Sequence, residues 1–200
     1  MVEGRDDENV VKNICAQHKL GEIETIHPYE GKDALLEAID VRLKESDVSA
    51  LGIIVDADAD VHARWQSISN RLTNAGYVHV PPNPLAEGTI VTPPTGSLLP
   101  KVGIWLMPDN QTSGILEDFI RLLIPEDGLL DHARESLDGI PVGQIRFPDT
   151  LKPKALVHTW LAWQEQPGRP FGVSIAAGYL DHNAPAATTF AGWLQRTFFL

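Results

Sequence analysis

Three aspartates at alternate positions are the residues of this chain whose type and spacing best suit chemistry. Asp56, Asp58 and Asp60 directly follow the apolar run Leu51–Val55. That run is rich in Ile and Val, which predicts a buried strand. Alternate residues of an extended chain lie on one side of it, about 7 Å apart, so these carboxylates would crowd together at a strand end. Crowded carboxylates repel each other unless a cation neutralises them, and all-oxygen ligands suit Mg²⁺, Mn²⁺ or Ca²⁺.

A second acidic group stands near the N-terminus. Glu3 precedes Gly4, and Asp7 follows four residues after Glu3. We expect Gly4 to turn the chain into a helix and Asp7 to lean back over that turn. The first and third strands of a βαβαβ unit are often neighbours, so Glu3 and Asp56 would point into one crevice. General acid–base chemistry beside metal ions requires such convergence.

Strands and helices alternate in the part of the chain that must position these carboxylates. The spacing of apolar residues predicts helices over 8–19, 34–43, 63–73 and 115–123 and strands over 23–29, 51–55 and 101–107. Residues 78–100 are rich in proline and glycine, which predicts an irregular connection with a short edge strand at 89–91. The order indicates parallel βαβ units, whose ligands lie at the carboxyl ends of the strands.

The predicted fold class is α/β, with a mostly parallel sheet of about four strands flanked by helices. Residues 1–124 would form this core, including the proline-rich connection at 78–100. Residues 125–200 would form a mostly helical C-terminal region packed on the core, with helices over 151–164, 173–180 and 188–199.

Composition excludes several classes of protein. The chain carries 16 Lys and Arg against 27 Asp and Glu, a formal net charge of −11. This charge argues against a broad basic face for nucleic acid, so any nucleic-acid contact should depend on bound metal or on a partner chain. Cys15 is the single cysteine, which excludes an intrachain disulfide and a cysteine-based zinc site. The sequence has no signal-peptide pattern and no apolar run long enough to cross a membrane, so we expect a cytoplasmic location.

Two short motifs in the expected order resemble the Toprim pattern. They are Glu-Gly-x-x-Asp at residues 3–7 and a strand that ends in Asp56-x-Asp58, with Gly31 after the second predicted strand. Toprim domains occur in topoisomerases, bacterial primases, recombination-mediator proteins and overcoming-lysogenization-defect nucleases. The resemblance covers residues 1–110 and implies a compact, Rossmann-like α/β domain that holds Mg²⁺ for phosphodiester chemistry. Only Met1 and Val2 precede the motif, so the first strand is a stub or the true start lies upstream.

The Toprim resemblance also implies roles for individual residues. Glu3 matches the family glutamate, which serves as general acid/base or metal ligand. Asp56 and Asp58 match the metal-binding pair, and Asp7 matches the aspartate after the glycine turn.

A longer resemblance extends over nearly the whole chain. Trp105–Asn110, Leu116–Asp118 and His158–Gln164 are similar to stretches of an uncharacterised bacterial family grouped with Toprim proteins. In the overcoming-lysogenization-defect nucleases, a Leu-Glu pair and a later lysine complete a second metal site. Leu116-Glu117 resembles the pair, and Lys152 or Lys154 would be the lysine.

These observations predict phosphodiester cleavage of nucleic acid that depends on Mg²⁺ or Mn²⁺. Glu3, Asp56 and Asp58 would be the catalytic residues and would also bind metal, with further metal ligands from Asp7, Asp60 and Glu117. A solvated turn is the plain structural alternative for the acidic run.

Two other functions remain open. The chain could be a non-catalytic Toprim-derived module that binds a protein partner or a second copy through its tryptophan-rich C-terminal helices. It could also be a metal-dependent glycosyltransferase, because the Asp-x-Asp of those enzymes follows an apolar strand as well. Only residues 1–55 precede Asp56, which is short for the nucleotide-binding half of such an enzyme.

Overall fold

A three-stranded mixed sheet lies at the centre of the protein in a computed structural model that describes residues 1–200. In chain order its strands are β1 (Ala50–Asp56), β2 (Thr89–Val91) and β3 (Lys101–Met107). The spatial order is β1-β3-β2. β1 pairs with β3 in parallel, so Asp56 lies opposite Met107 where both strands end. β2 pairs antiparallel with β3, and it is the short edge strand that the sequence predicts.

Eight helices surround this sheet. They are α1 (Arg5–Gln17), α2 (Lys32–Arg42), α3 (Val61–Ala75), α4 (Leu116–Arg121), α5 (Leu129–Asp138), α6 (Lys152–Ala162), α7 (Phe171–Ala176) and α8 (Pro185–Phe198), with a 3₁₀ turn at Asp149–Leu151. The predicted α/β class is therefore confirmed. The observed sheet has three strands of mixed direction, so the prediction of about four mostly parallel strands is wrong.

The strand predicted over 23–29 is reduced to one isolated parallel bridge between Val2 and Pro28. Val2 N donates to His27 O at 3.0 Å, and Tyr29 N donates to Val2 O at 2.9 Å. A parallel bridge uses the two neighbours of the bridged residue, so this one does not need the N–H that Pro28 lacks, and the proline confines the segment to an edge. The apolar residues of 23–29 therefore do not build a full strand.

Met1 and Val2 extend the hydrogen-bonded network beyond β1. The amine of Met1 donates to Gly52 O at 2.8 Å. Ile54 N donates to Met1 O at 3.0 Å, which completes the pattern of a parallel pair. This short segment, although too short to count as a strand, places Glu3 beside the carboxyl end of β1.

The two faces of the sheet carry separate hydrophobic cores. Ile53 and Val55 of β1 belong to a cluster of 18 buried residues that includes apolar residues of α2 and α3. Ile54 lies on the other face, in a cluster of 28 buried residues that includes apolar residues of α1 and α4–α8. This alternation follows from the two-residue period of a strand. Helices therefore cover both faces of the sheet.

Helix α8 packs directly on the backbone of the sheet where glycines leave room for it. Gly52 and Gly103 are register partners on β1 and β3. A Cβ atom built on Gly52 would lie 2.5 Å from the ring of Phe198, and one on Gly103 would lie 2.3 Å from Thr197 Oγ1. A side chain at either position would push the helix away from the strands.

The C-terminal helices share one apolar cluster with α1, to which Val10, Trp160 and Trp193 all contribute. The C-terminal region therefore packs on the sheet-bearing part, while the division at residue 124 stays a prediction. No helix combines the length and the hydrophobicity that a membrane span requires.

Candidate functional site

The carboxyl end of β1 brings Glu3 and Asp56 together. Asp56 is the last residue of β1, and its backbone N–H donates to Glu3 Oε1 over 2.8 Å. Glu3 reaches this position because Met1 and Val2 run beside β1 and Gly4 then begins the turn into α1. Residues 53 positions apart in the chain thus meet at one strand end.

Asp7 joins this pair from the first turn of α1. Its Oδ2 atom accepts a hydrogen bond from Gly4 N at 3.0 Å, which caps the helix. Its Oδ1 atom is buried without a hydrogen-bond partner, and so is Oδ1 of Asp56. Buried polar atoms in proteins are nearly always paired, so two unpaired carboxylate oxygens at one place call for a ligand or a proton.

Burial and mutual repulsion raise the pKa values of these acids. The pKa of Asp56 is raised to about 8, first by burial and then by the charges of Glu3, Asp7, Asp58 and Glu117. The pKa of Asp7 is raised to about 7, mainly by burial and then by the charge of Glu3. Burial also raises the pKa of Glu3, although the hydrogen bond from Asp56 N opposes the shift. Without a bound cation, protons therefore neutralise part of this cluster at neutral pH.

Asp58 lies next to these acids but has cationic partners. Its backbone takes the left-handed conformation with φ 55°, and its N–H donates to Gly114 O at 2.8 Å. Its Oδ2 atom accepts from Lys32 Nζ at 2.7 Å and from a terminal guanidinium nitrogen of Arg64 at 2.8 Å. Asp58 is therefore an ion-paired carboxylate, and a metal ion would have to compete with two cations for Oδ2.

Glu117 approaches the cluster from the first turn of α4. It is buried, and Lys154 Nζ of α6 lies 2.9 Å from its Oε1 atom. The charge of Glu117 contributes to the raised pKa of Asp56, and the charge of Asp56 contributes to the raised pKa of Lys154, whose main cause is the bond to Glu117. Of the two lysines suggested by the sequence, Lys154 is thus the one at the site, whereas Lys152 pairs with Asp138 on the surface.

Asp60 has a different role. Its Oδ1 atom accepts hydrogen bonds from His62 N at 2.9 Å and Ala63 N at 3.0 Å, so it caps the N-terminus of α3. It is exposed, and it is not among the charges that raise the pKa of Asp56. The structure places it outside the group formed by the other predicted carboxylates.

The loops after β1 and β3 support each other and fix the relative positions of Asp58 and α4. Ala57 N donates to Met107 O at 3.1 Å, and Ser113 Oγ donates to Ala59 O at 3.0 Å. Together with the bond from Asp58 to Gly114, these contacts join the two strand ends directly before α4 begins. The parallel pairing of β1 with β3 is what brings the two loops to the same edge.

The donor atoms of this cluster suit a hard divalent cation. Glu3, Asp7 and Asp56 offer carboxylate oxygens, which Mg²⁺ and Mn²⁺ prefer, and the unpaired Oδ1 atoms provide two of them. In the present structure no three His, Cys, Asp or Glu side chains are close enough to bind one metal ion together. The residues therefore fit a divalent cation by chemistry, and the acids would have to adjust to close around it.

The sequence matches the family described as "Protein of unknown function (DUF3226)" over residues 1–199. The chain belongs to the DUF3226 family. No curated protein and no solved structure matches it. The DUF3226 match contains every residue of the acidic cluster, from Glu3 to the pair Glu117–Lys154, so one family unit supplies the whole site.

Two cavities of this DUF3226 protein lie away from Glu3, Asp7 and Asp56. One, of about 320 Å³, lies between the end of α1 and residues 20–26 and has mostly apolar walls. The other, of about 270 Å³, lies between α4, α5 and the start of α6. Neither cavity is lined by Glu3, Asp7 or Asp56, so neither is part of the acidic cluster.

The sequence analysis assigns no role to Lys32 or Arg64. Their positions near the beginnings of two helices could have identified them from the sequence. Lys32 directly follows Gly31, where the turn enters α2, and Arg64 lies one turn into the helix that follows the aspartates. Cations at the beginnings of helices are unusual, because the positive end of the helix dipole disfavours them unless an anion lies nearby. Here that anion is Asp58.

Proposed function

We propose that this protein is a Toprim-like enzyme that cleaves phosphodiester bonds of nucleic acid with Mg²⁺ or Mn²⁺. One observation carries the proposal. Glu3 Oε1 lies 2.8 Å from Asp56 N at a strand end where Oδ1 of Asp56 and Oδ1 of Asp7 are both buried without partners. A cluster of acids with open oxygens is costly in the absence of a cation, and a functional role explains why such a cluster is kept.

Asp56 and Asp7 would hold the cation through their unpaired oxygens, with Glu3 beside them. Asp58 and Glu117 would complete the set, and Asp60 would take no part because its oxygen caps α3. A bound divalent ion would polarise the phosphate and supply an activated water. Glu3 uses one oxygen for Asp56 N, and its raised pKa suits the second oxygen to accept or release a proton.

The pair Glu117–Lys154 supports the nuclease assignment within the Toprim resemblance. The Leu-Glu pair and the later lysine predicted from the sequence lie 2.9 Å apart at Glu117 Oε1 and Lys154 Nζ. They come from α4 and α6, which are separate elements, so chain proximity does not explain their meeting. Lys154 would offset negative charge on Glu117 while the carboxylate stays aimed at the cluster.

The net charge of −11 sets the conditions for substrate binding. A polyanion is repelled by such a protein except where cations concentrate. Lys32, Arg64 and Lys154 lie at the acidic cluster, and bound divalent ions would add further positive charge there. We therefore expect nucleic-acid cleavage to stop when EDTA removes the metal and to weaken steeply with salt.

The test is cleavage of labelled single-stranded DNA, double-stranded DNA and single-stranded RNA with Mg²⁺ or Mn²⁺. Asp56→Asn removes one open carboxylate and should lower the rate by at least about 100-fold while the protein stays folded. Asp40→Asn is the matched control, because it makes the same change at an exposed carboxylate that pairs only with Arg71. An Asp56→Asn protein with the metal-dependent activity of Asp40→Asn would overturn the proposal.

The alternative of a tryptophan-based interaction module is less well supported. Trp160 and Trp193 are buried in the core, and only Trp163 among the C-terminal tryptophans is half-exposed. Side chains already packed inside the protein are not available to a partner. If neither metal binding by calorimetry nor cleavage is found, the module remains the next function to test, and a shift in melting temperature with nucleotide sugars would identify a glycosyltransferase.

A further inference from the structure

Three side-chain cations touch the acidic cluster, and they differ in how easily each could leave its present partner. Lys32 and Arg64 contact Asp58, and Lys154 contacts Glu117. A phosphodiester substrate brings its own negative charge to this cluster. A cation that binds it must therefore give up a carboxylate without leaving that carboxylate buried and unpaired.

Lys154 is poorly suited to leave its carboxylate. The side chain of Glu117 is only 7% exposed, and Lys154 is the one cation that pairs with it. If Lys154 moved to a substrate, a buried carboxylate would remain without compensation next to Asp56, whose pKa is already raised by the same charge. We therefore expect Lys154 to stay paired with Glu117 when a substrate binds.

Arg64 is also held in place. Its side chain is 12% exposed, and it makes two contacts at once, from Nε to Asp56 O at 3.0 Å and from a terminal nitrogen to Asp58 Oδ2 at 2.8 Å. These bonds tie the end of β1 to the left-handed turn at Asp58. Moving Arg64 would release the loop that positions both aspartates.

Lys32 has neither restraint. Its side chain is 41% exposed, and its only ion pair is the one with Asp58, which is itself partly exposed. Ion pairs in such surroundings contribute little and exchange readily. If Lys32 left, Arg64 would still neutralise Asp58.

The place of Lys32 in the fold also favours an anion. It is the first residue of α2, a helix of 11 residues, and Gly31 N just before it donates to Glu3 O at 3.2 Å. The positive end of α2 therefore lies next to the segment that carries Glu3. Nothing in the first turn of α2 except Asp33 offsets this positive end.

We propose that Lys32 is a substrate-binding residue that is stored on Asp58 in the free protein and moves to a non-bridging phosphate oxygen of the polynucleotide, while Arg64 stays on Asp58. This inference rests on the proposed function for its substrate class. In the free protein Asp58 is the anionic partner of Lys32, and in the complex a phosphate of the substrate takes its place as that partner.

The test is binding of a fluorescent single-stranded oligonucleotide by anisotropy over a series of salt concentrations, in EDTA and again with Ca²⁺, which supplies divalent positive charge. Lys32→Gln should weaken binding about threefold to tenfold at low salt and lower the slope of log Kd against log salt by about 0.7, the share of one phosphate contact. Lys12→Gln is the matched control, because Lys12 is an exposed lysine of α1 that pairs with Glu8 four residues earlier. It should leave both quantities unchanged. Thermal melting of both variants checks that they are folded.

A second variant tests the storage of Lys32. Asp58→Asn removes the charge that holds Lys32, so it should tighten oligonucleotide binding in EDTA by about threefold or more. The gain should vanish when Lys32→Gln is added, because the released lysine is its source. Equal affinities and salt slopes for Lys32→Gln and Lys12→Gln in both buffers would overturn the inference, and so would the absence of oligonucleotide binding by the unmodified protein in both buffers.

The two proposals fail in different ways. Metal-dependent cleavage with no effect of Lys32→Gln on binding would leave the proposed function in place and remove the role of Lys32. Binding that depends on Lys32, without cleavage in Mg²⁺ or Mn²⁺, would support the phosphate contact and remove the enzyme assignment.

Discussion

Asp60 shows how one carboxylate in an acidic run can serve structure alone. Its oxygen accepts hydrogen bonds from His62 N and Ala63 N, and both donors would otherwise lack partners at the start of α3. Asn can make the same bonds, whereas Ala cannot. We therefore expect Asp60→Ala to lower the free energy of unfolding by about 1 kcal/mol and Asp60→Asn to change it by less, as measured by urea denaturation.

Calorimetry with Mn²⁺ tests whether Asp60 is also a metal ligand. The Asp60→Asn protein should bind Mn²⁺ as tightly as the unmodified protein, because the cap is kept and the cluster is untouched. A clear loss of Mn²⁺ affinity in this variant would return Asp60 to the set of metal ligands.

The pair Glu117–Lys154 allows a second prediction at single residues. Lys154→Met removes the partner of a buried carboxylate, so we expect the free energy of unfolding to fall by about 1–3 kcal/mol. Adding Glu117→Gln removes the unpaired charge and should recover part of that loss. Lys152→Met is the control, because the half-exposed pair of Lys152 with Asp138 should contribute less than about 0.5 kcal/mol.

Urea denaturation of the unmodified protein, Lys154→Met, Glu117→Gln and the double variant completes a double-mutant cycle, with Lys152→Met as the control. Equal losses for Lys154→Met and Lys152→Met would mean that the contact between Lys154 and Glu117 is no stronger than a surface ion pair.

At the scale of elements, the contact of α8 with the sheet depends on glycines. Gly103→Ala would place a Cβ atom 2.3 Å from Thr197 Oγ1, so α8 or β3 must shift. We expect the free energy of unfolding to fall by about 1–3 kcal/mol. Gly192→Ala makes the same change within α8, where its Cβ would meet only Arg196 at 3.5 Å. That variant should gain up to about 1 kcal/mol from the higher helix propensity of Ala, and a Gly103→Ala protein that is equally stabilised would contradict the close packing.

The elements that could be predicted from sequence are those whose pattern is local. β1 and β3 are continuous apolar runs, and the helical spacing over 63–73 corresponds to the core of α3. The apolar residues of 23–29 suit a strand, but the segment forms only one bridge, because its backbone partner there is the single residue Val2. Strand formation depends on available backbone partners, which local composition does not reveal.

Only part of the site could be predicted from the sequence. The meeting of Glu3 with Asp56 follows from the rule that ligands gather at the carboxyl ends of strands. The partners of the acids follow no such rule, because Lys32, Arg64 and Lys154 reach the site from three different helices. The positions of Lys32 and Arg64 near helix N-termini indicate a nearby anion, but which carboxylate each of the three cations contacts depends on tertiary packing.

For the whole molecule, the acidic cluster links folding to pH. The pKa of Asp56 is raised to about 8 and that of Asp7 to about 7, whereas ordinary aspartates in an unfolded chain titrate near pH 4. Between these values the folded state binds more protons than the unfolded state. The stability that this cluster contributes is therefore present below pH 4 and is lost as the pH rises towards 8.

The net charge of −11 adds a general repulsion as the pH rises. The effect of the acidic cluster therefore has to be measured as a difference between the unmodified protein and Asp56→Asn over the same pH range. Without metal, each raised aspartate lowers the free energy of unfolding by up to about 1.4 kcal/mol per pH unit. Asp56→Asn removes the larger of the two shifts, so the free energy of unfolding of this variant should fall less between pH 5 and pH 8, measured by urea denaturation. Mn²⁺ at pH 8 should restore much of the loss in the unmodified protein and little in Asp56→Asn, because the cation replaces the protons on these acids. Parallel stability curves for the two proteins, with equal gains from Mn²⁺, would show that the carboxylates neither hold protons in the folded state nor share a cation.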